Sequence, residues 1–295
     1  MTPLRSTPAR RRGDAYEIME ADRRRFTEDG FVHLPGVLDE DELAAVEATF
    51  QRFLRGDIPV PGKDFCDMSS EYSRRAEDFS VVNIMLPRKY HPAWRGNLYE
   101  RRAAAIAGQL CGPGMVLDYD QLLAKRPGRQ DAVFHWHQDL AYWPVTEDTR
   151  TATCWLAVDA ASEENGCLRF VVGSHREPEL RPHLPMGGDR GKSHTLVAVV
   201  DEARDRIQCV PASRGDVVVL SERVVHGSGG NRSRDNWRRA YVVAFRSAET
   251  VAAERRMGFT HSHNDAPAAL NAVAAMRRGR SLDPPQERPA PPYLS

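Results

Sequence analysis

Hydrophobic positions follow two different spacings in this chain. Before residue 112, three stretches have helical spacing or composition. The clearest helix begins after Asp39, ends near Gly56 and should bury one face, formed by Leu43, Val46, Phe50 and Phe53. Residues 16–29 and 94–110 are also predicted to be helical, and a glycine follows each soon after.

From Met115 to Phe245 the pattern changes to short runs of β-branched and aromatic residues separated by Gly, Pro, Asn and Asp. Strands are predicted over residues 115–124, 151–158, 167–172, 195–200, 207–210, 216–220 and 239–245, after two earlier ones over 31–35 and 79–86. Many short strands without intervening helices are typical of a β-sandwich or a double-sheet jelly roll. The predicted fold class is therefore mainly β with flanking helices.

The boundaries of the predicted domain lie where this patterning stops. Residues 1–14 are expected to be a disordered lead, and residues 15–250 one domain. Residues 251–295 should form a peripheral tail, helical over 266–278 and rich in proline near its end, which could also support a homodimer contact. Inside the domain, residues 57–78 lack periodicity and are predicted to be a long loop that acts as a substrate lid.

Composition and charge exclude several classes of protein. The 295 residues carry 41 Lys plus Arg and 41 Asp plus Glu, so the formal net charge is zero and neither nucleic acid nor an anionic membrane is an expected partner. The five cysteines are scattered and form no Cys-x-x-Cys pair. No signal peptide or membrane span is recognisable, so a soluble protein of the reducing cytoplasm is expected.

Candidate metal ligands are concentrated in residues 134–144. If this segment is extended, His135, His137 and Asp139 point to one side, because strand side chains alternate with period two. A further histidine, His226, follows eighty-seven residues later (226 minus 139). Two histidines and one carboxylate suit non-haem Fe(II), since they leave positions open for oxygen and a cosubstrate. A lone His-x-Asp is more often a surface pair, so the flanking sequence must decide.

That flanking sequence resembles the phytanoyl-CoA dioxygenase family over roughly residues 20–250. The resemblance rests on four motifs in the family's order, at residues 125–128, 136–144, 164–176 and 226–233. It implies a double-stranded β-helix (a jelly roll, cupin-like), Fe(II) as the metal, and 2-oxoglutarate and O2 as cosubstrates. It also implies that His137, Asp139 and His226 are the ligands and that His135 is a wall or supporting residue.

The resemblance further implies residues that hold 2-oxoglutarate. The remote carboxylate of this dicarboxylate needs a fixed cation, and an arginine fork suits it best. Arg238 is the family's candidate and Arg239 the reserve, because a local insertion blurs the alignment and neighbouring strand residues face opposite ways. The other candidate contacts are Ser228, Trp155, Lys125 and Gln121. The carboxylate of Asp139 argues against halogenase activity, because halogenating relatives have a small residue there.

The substrate is predicted to be a medium-sized polar small molecule. Its candidate contacts are Asn83, Met85, Tyr142 and Trp143, with the 57–78 loop, including Arg74 and Arg75, and the loop over residues 183–194. The Arg- and Ala-rich composition is typical of high-GC bacteria, whose members of this family often modify antibiotics by hydroxylation or ring closure. A tailoring oxygenase acting on a glycosylated scaffold is the hypothesis, and an acyl-CoA or a compatible solute such as ectoine is the alternative.

Three other interpretations compete with the oxygenase. His135-x-His137-x-Asp139 resembles the start of the zinc metallo-β-lactamase motif, but Leu140 stands where that motif requires another histidine. A serine hydrolase would need a Gly-x-Ser-x-Gly elbow, which the chain lacks. A non-catalytic jelly-roll binding module would leave the ordered ligand set unexplained.

Overall fold

The computed structural model describes residues 10–265 and contains five α-helices and fifteen strands in that range. The helices are α1 (Glu20–Asp29), α2 (Glu40–Arg55), α3 (Pro87–Tyr90), α4 (Leu98–Cys111) and α5 (Ala248–Arg256). The strands are β1 (Arg11–Arg12), β2 (Ala15–Tyr16), β3 (Phe31–Leu34), β4 (Phe65–Asp67), β5 (Val81–Met85), β6 (Met115–Lys125), β7 (Phe134–His137), β8 (Thr151–Ala157), β9 (Leu168–Val171), β10 (His183–Pro185), β11 (Leu196–Ala198), β12 (Ile207–Val210), β13 (Val217–Leu220), β14 (His226–Ser228) and β15 (Arg238–Ser247).

Two antiparallel sheets face each other. The larger has the strand order β3-β13-β8-β15-β6-β5-β4, and the smaller has the order β12-β9-β14-β7. Strand alternation divides the core into two layers. Val217 and Val219 pack with the residues of α2 and α4, whereas Val218 and Leu220 pack with Phe170 of the smaller sheet. The predicted mainly β fold with flanking helices is confirmed, and the sheets form a jelly roll.

Local signals in the sequence account for the helix that covers the larger sheet. The side chain of Asp39 accepts a hydrogen bond from the backbone N–H of Glu42, and the side chain of Glu42 accepts one from the N–H of Asp39. At the other end, Gly56 has a φ of 80°, the left-handed conformation that favours glycine. Both ends of α2 agree with the prediction.

The predicted lead and loop differ from the structure. Residues 10–14 are not disordered, since Arg11–Arg12 pairs with Ala15–Tyr16 as a short hairpin, while residues 1–9 lie outside the described part. The 57–78 segment is not only a loop, because it contains β4 at the edge of the larger sheet. Backbone pairing with a neighbouring strand can stabilise a segment whose own sequence is aperiodic.

The predicted peripheral tail is also wrong for its first residues. After α5 the chain turns back, and residues 258–265 line a cavity beside the candidate site. The predicted helix over 266–278 and the proline-rich end lie outside the described residues. Within residues 10–265, none of the helices has the length and apolar character that crossing a membrane requires.

Candidate active site

The three predicted metal ligands come together where β7 and β14 pair. His137 ends β7, His226 begins β14, and the two are direct partners in the register. Asp139 follows two residues after His137, in a short 3-10 turn. Its Oδ1 lies 3.5 Å from Nε2 of His137 and 3.7 Å from Nε2 of His226. One ligand atom from each of the three residues therefore lies within 4.8 Å of the others.

Backbone carbonyls fix the orientation of both imidazoles. Nδ1 of His137 donates to the carbonyl oxygen of His135 at 2.7 Å, and Nδ1 of His226 donates to that of Val224 at 3.0 Å. Each ring therefore directs Nε2 to the centre of the cluster, which is the orientation that metal-binding histidines need.

Protonation also favours a divalent cation in this cluster. Burial lowers the pKa of His226 to about 4, so this ring is neutral at neutral pH. Burial alone would raise the pKa of Asp139, but the neighbouring His226 and His137 outweigh it, and the net shift is downward. Among residues 10–265 these two imidazoles are the ion-pair partners of Asp139. A carboxylate faced by two imidazoles, with no arginine or lysine paired to it among residues 10–265, fits Fe(II).

A narrow cavity, here called the inner chamber, connects this cluster with Arg238. Arg238 is 1% exposed, and its Nε and Nη1 have no hydrogen-bond partner within the described part of the chain. The guanidinium carbon lies 5.3 Å from the ring centroid of Trp155. Other lining residues are Gln121, Phe134, Thr153, Leu168, Leu220, Ser228 and Val242.

The amine of Lys125 is also buried and contacts the inner chamber through Ser228, although Lys125 itself is not among the lining residues. Nζ of Lys125 donates to Oγ of Ser228 at 2.6 Å and also to the carbonyl of Gly229. Burial lowers the pKa of Lys125 well below its ordinary value and that of Arg238 to about 10. Neither side chain forms an ion pair with a carboxylate in residues 10–265, so this end of the chamber suits an anion.

Strand alternation separates the two candidate arginines. Arg238 points into the inner chamber, whereas Arg239 points to the opposite face of β15. Nε of Arg239 donates to Asp159 at 2.8 Å, and Nη2 contacts both Asp159 and Glu47. Arg239 therefore has its own carboxylate partners outside the site, and Arg238 is the one free to hold a ligand.

A second space, here called the outer chamber, shares His137 and Asp139 with the inner chamber. Tyr142 and Trp143, two of the predicted substrate residues, line it. The remaining lining residues are Met68, Met85, Tyr119, Gln121, Phe134, His135, His194, Thr195 and His263. Polar and aromatic groups thus surround one cavity next to two of the metal ligands.

Other predicted substrate residues are not in these chambers. Asn83 is fully buried, accepts a hydrogen bond from Gln121 at 2.6 Å and contacts Sγ of Cys66, so it supports Gln121 from behind the wall. Arg74 pairs with Asp67 and Asp131. Arg75 is exposed and pairs with its chain neighbours Glu77 and Asp78.

Sequence reasoning missed the contribution of the residues after α5. His261 and His263 are both buried, and His263 lines the outer chamber. The signal was present as a second His-x-His pattern, residues 261–263, outside the region of family resemblance. The sequence pattern does not indicate which cavity these histidines reach, because their position depends on the reversal of the chain after α5.

A jelly roll with two histidines and one carboxylate at the mouth of its inner cavity is the arrangement of a non-haem iron oxygenase. Comparison with known proteins agrees with this class. Residues 26–240 match the phytanoyl-CoA dioxygenase (PhyH) family model, and the chain belongs to that family. It is a 2-oxoglutarate-dependent non-haem iron dioxygenase, which uses Fe(II), 2-oxoglutarate and O2, as the resemblance predicted.

Individual relatives span most of the chain. Peroxisomal phytanoyl-CoA dioxygenase from Homo sapiens is 30% identical over 243 residues, which cover 79% of this chain and 70% of that protein. EvdO2 from Micromonospora carbonacea var. aurantiaca, solved in complex with 2-oxoglutarate, is 28% identical with a TM-score of 0.62, over 79% of this chain and 93% of EvdO2. The alpha ketoglutarate dependent carbocyclase SnoK from nogalamycin biosynthesis is 26% identical with a TM-score of 0.61, over 79% of this chain and 85% of SnoK.

Proposed function

We propose that His137, Asp139 and His226 hold one Fe(II) and that Arg238, Ser228 and Lys125 hold the remote carboxylate of 2-oxoglutarate. The observation that carries this proposal is the inner chamber itself. It has a His-Asp-His cluster at one end and, at the other, the buried guanidinium of Arg238, whose Nε and Nη1 have no hydrogen-bond partner within residues 10–265. When bound, the iron with 2-oxoglutarate supplies the activation of O2 that oxidises a C–H bond.

The residues of the chain have separate tasks in this function. The backbone carbonyls of His135 and Val224 keep Nε2 of each ligand histidine unprotonated and aimed at the metal. Lys125 donates to Ser228, which leaves the Ser228 hydroxyl proton available to the cosubstrate carboxylate. Trp155 packs beside Arg238 and excludes water from its guanidinium, which strengthens the charge pairing.

We further propose that the substrate is a small molecule modified during antibiotic biosynthesis, either by hydroxylation or by ring closure. SnoK supports this proposal, since it is a carbocyclase of nogalamycin biosynthesis and its alignment covers 79% of this chain. Hydroxylation of an acyl-CoA is the second candidate, because the human relative is a phytanoyl-CoA dioxygenase. We propose a cytoplasmic location, and a homodimer stays a prediction from the sequence.

Anaerobic addition of Fe(II) and 2-oxoglutarate to the purified protein tests the site. The expected result is the weak visible charge-transfer band of the chelate, lost in His137→Ala and weakened in Arg238→Ala. Arg239→Ala is a matched control, because this neighbour carries the same charge on the opposite face of β15. The band should be unchanged in this control. Tight zinc binding without a band, or equal weakening in both arginine variants, would contradict the proposal.

A further inference from the structure

Three rings from separate segments line the outer chamber, and a fourth packs against one of them. Tyr142 follows the metal motif, His194 lies before β11, His263 lies after α5, and Tyr72 lies after β4. The rings of Tyr142 and His194 stack with centroids 4.9 Å apart, and those of His194 and His263 with centroids 3.9 Å apart. The ring of Tyr72 meets that of His263 edge-on at 6.4 Å.

The segment that carries His263 is firmly attached. Nε2 of His261 lies 2.8 Å from Oδ2 of Asp118 on β6. Asp64 accepts hydrogen bonds from the Ser262 hydroxyl at 2.8 Å and from the backbone N–H of His263 at 2.6 Å. The His263 ring is therefore held in place without a ligand. A site that is already ordered loses less conformational entropy when a ligand binds.

The outer chamber has little formal charge. Among its described lining residues there is no lysine or arginine, and its single carboxylate belongs to the metal ligand Asp139. Arg190 stands outside the lining, with its guanidinium carbon 5.2 Å from the ring centroid of Tyr142 and with a buried Nη1 that has no hydrogen-bond partner within residues 10–265. Burial lowers the pKa of both His194 and His263, so both rings are neutral at neutral pH. A phosphorylated or carboxylated group placed against these two rings would lose its hydration without gaining a cationic partner among the lining residues.

The rings that line the outer chamber can nevertheless form hydrogen bonds. Nδ1 of His194 is buried and has no partner within residues 10–265. A neutral imidazole can donate or accept a hydrogen bond, so a hydroxyl group of a ligand can satisfy it. The flat faces of the same rings suit the apolar face of a ligand ring. His263 also lies outside the family-matched residues 26–240, so this feature is not given by the family match.

We propose that the stacked pair His194 and His263 is the substrate-recognition wall of the outer chamber, and that it takes an uncharged ring that carries hydroxyl groups. This inference rests on the proposed function, because it places the ring next to the metal-bound cosubstrate. It also separates the two substrate candidates, since the anionic part of a CoA thioester would have to stay outside the chamber.

Two matched probes test the charge preference, namely phenyl β-D-glucopyranoside and phenyl β-D-glucuronide, which differ by one carboxylate. The anaerobic Fe(II)·2-oxoglutarate protein is treated with diethyl pyrocarbonate, and modification of each histidine is followed by mass spectrometry. The uncharged probe should slow the modification of His194 and His263. It should not change the rate at which His91 is modified, because the ring of His91 contacts Phe53 of α2, away from the outer chamber. At least tenfold more glucuronide should be needed for the same protection. Equal protection by both probes, or protection by neither, would overturn the proposal.

Variants test the two residues directly. His194→Ala and His263→Ala should each weaken binding of the uncharged probe at least tenfold while the chelate band stays unchanged, whereas His91→Ala should bind it as the wild type does. Wild-type probe affinity in either alanine variant would overturn the proposal. Absence of the chelate band from the wild type would instead count against the iron and 2-oxoglutarate site, so the two failures are distinguishable.

Discussion

Two clusters in this molecule contain the same kinds of ligand but different counter-charges. His137, Asp139 and His226 form one, and Asp118, Glu254 and His261 form the other, each with ligand atoms within 4.8 Å of one another. In the second cluster the cations belong to the protein. Arg246 pairs with Glu254, and Arg255 pairs with Asp118. The first cluster has no such cation among the described residues.

This comparison shows that ligand identity alone does not define a metal site. A group of carboxylates that already has guanidinium partners is neutralised and has no need of a metal, whereas the ion-pair partners of Asp139 within residues 10–265 are two imidazoles. The second cluster instead has a structural task. Through His261 and Asp118 it fastens residues 258–265 against β6, which brings His263 to the outer chamber.

The largest expected effect comes from removing the internal cation of the second cluster. The side chain of Arg246 is fully buried and faces Glu222, Glu254 and Asp118. Arg246→Met should lower the free energy of unfolding by about 3–5 kcal/mol, because buried carboxylates are left unpaired. Urea denaturation measures it. Arg255→Met is the control and should cost less, since the Arg255 side chain is 36% exposed. Equal losses of unfolding free energy in the two variants would show that burial of the Arg246 side chain does not matter more than that of Arg255.

Removing a ligand from the first cluster should affect metal binding rather than the fold. Asp139→Ala should weaken Fe(II) binding by at least about 100-fold, because loss of even an outer partner of a ligand typically costs 10–100-fold. Glu254→Gln, in the second cluster, should leave the affinity unchanged within about threefold. Anaerobic competition against a coloured chelator measures both affinities. Similar losses in the two variants would show that the second cluster also binds metal.

Changes in pH should have smaller effects on the free energy of unfolding, and the contributions of His226 and His261 should have opposite signs. The pKa of His226 is lowered to about 4 by burial, so the unfolded protein binds more protons between pH 4 and 6.5, and stability should rise with pH there. Burial opposes the shift of His261, but Asp118 outweighs it and its pKa is raised. The contribution of His261 is therefore present below pH 6.5 and is lost as pH rises through its folded pKa.

Each histidine can add a slope of at most about 1.4 kcal/mol per pH unit. Urea denaturation of the metal-free protein across this range measures the slopes. His226→Asn should flatten the acidic side of the profile and His261→Asn the neutral to alkaline side. If the two variants changed the opposite sides of the stability–pH profile, or left it unchanged, the environments inferred for His226 and His261 would be wrong.

The comparison also indicates what sequence reasoning could reach. The elements of the inner chamber were predictable because His137 and Asp139 are close in the chain and His226 lies in a recognisable motif. The choice between Arg238 and Arg239 needed the strand register. The outer chamber was harder to predict, because His194 and His263 come from separate segments that only the folded chain brings together. Asn83 was misplaced for a similar reason, since its burial depends on β4 pairing with β5.

Anomalous diffraction at the iron edge, from crystals grown anaerobically with Fe(II) and 2-oxoglutarate, tests most directly where the iron and the cosubstrate bind. We expect one strong peak per chain, between His137, Asp139 and His226, and electron density for the cosubstrate extending to Arg238. A peak at Asp118, Glu254 and His261, or none at the first cluster, would contradict this expectation.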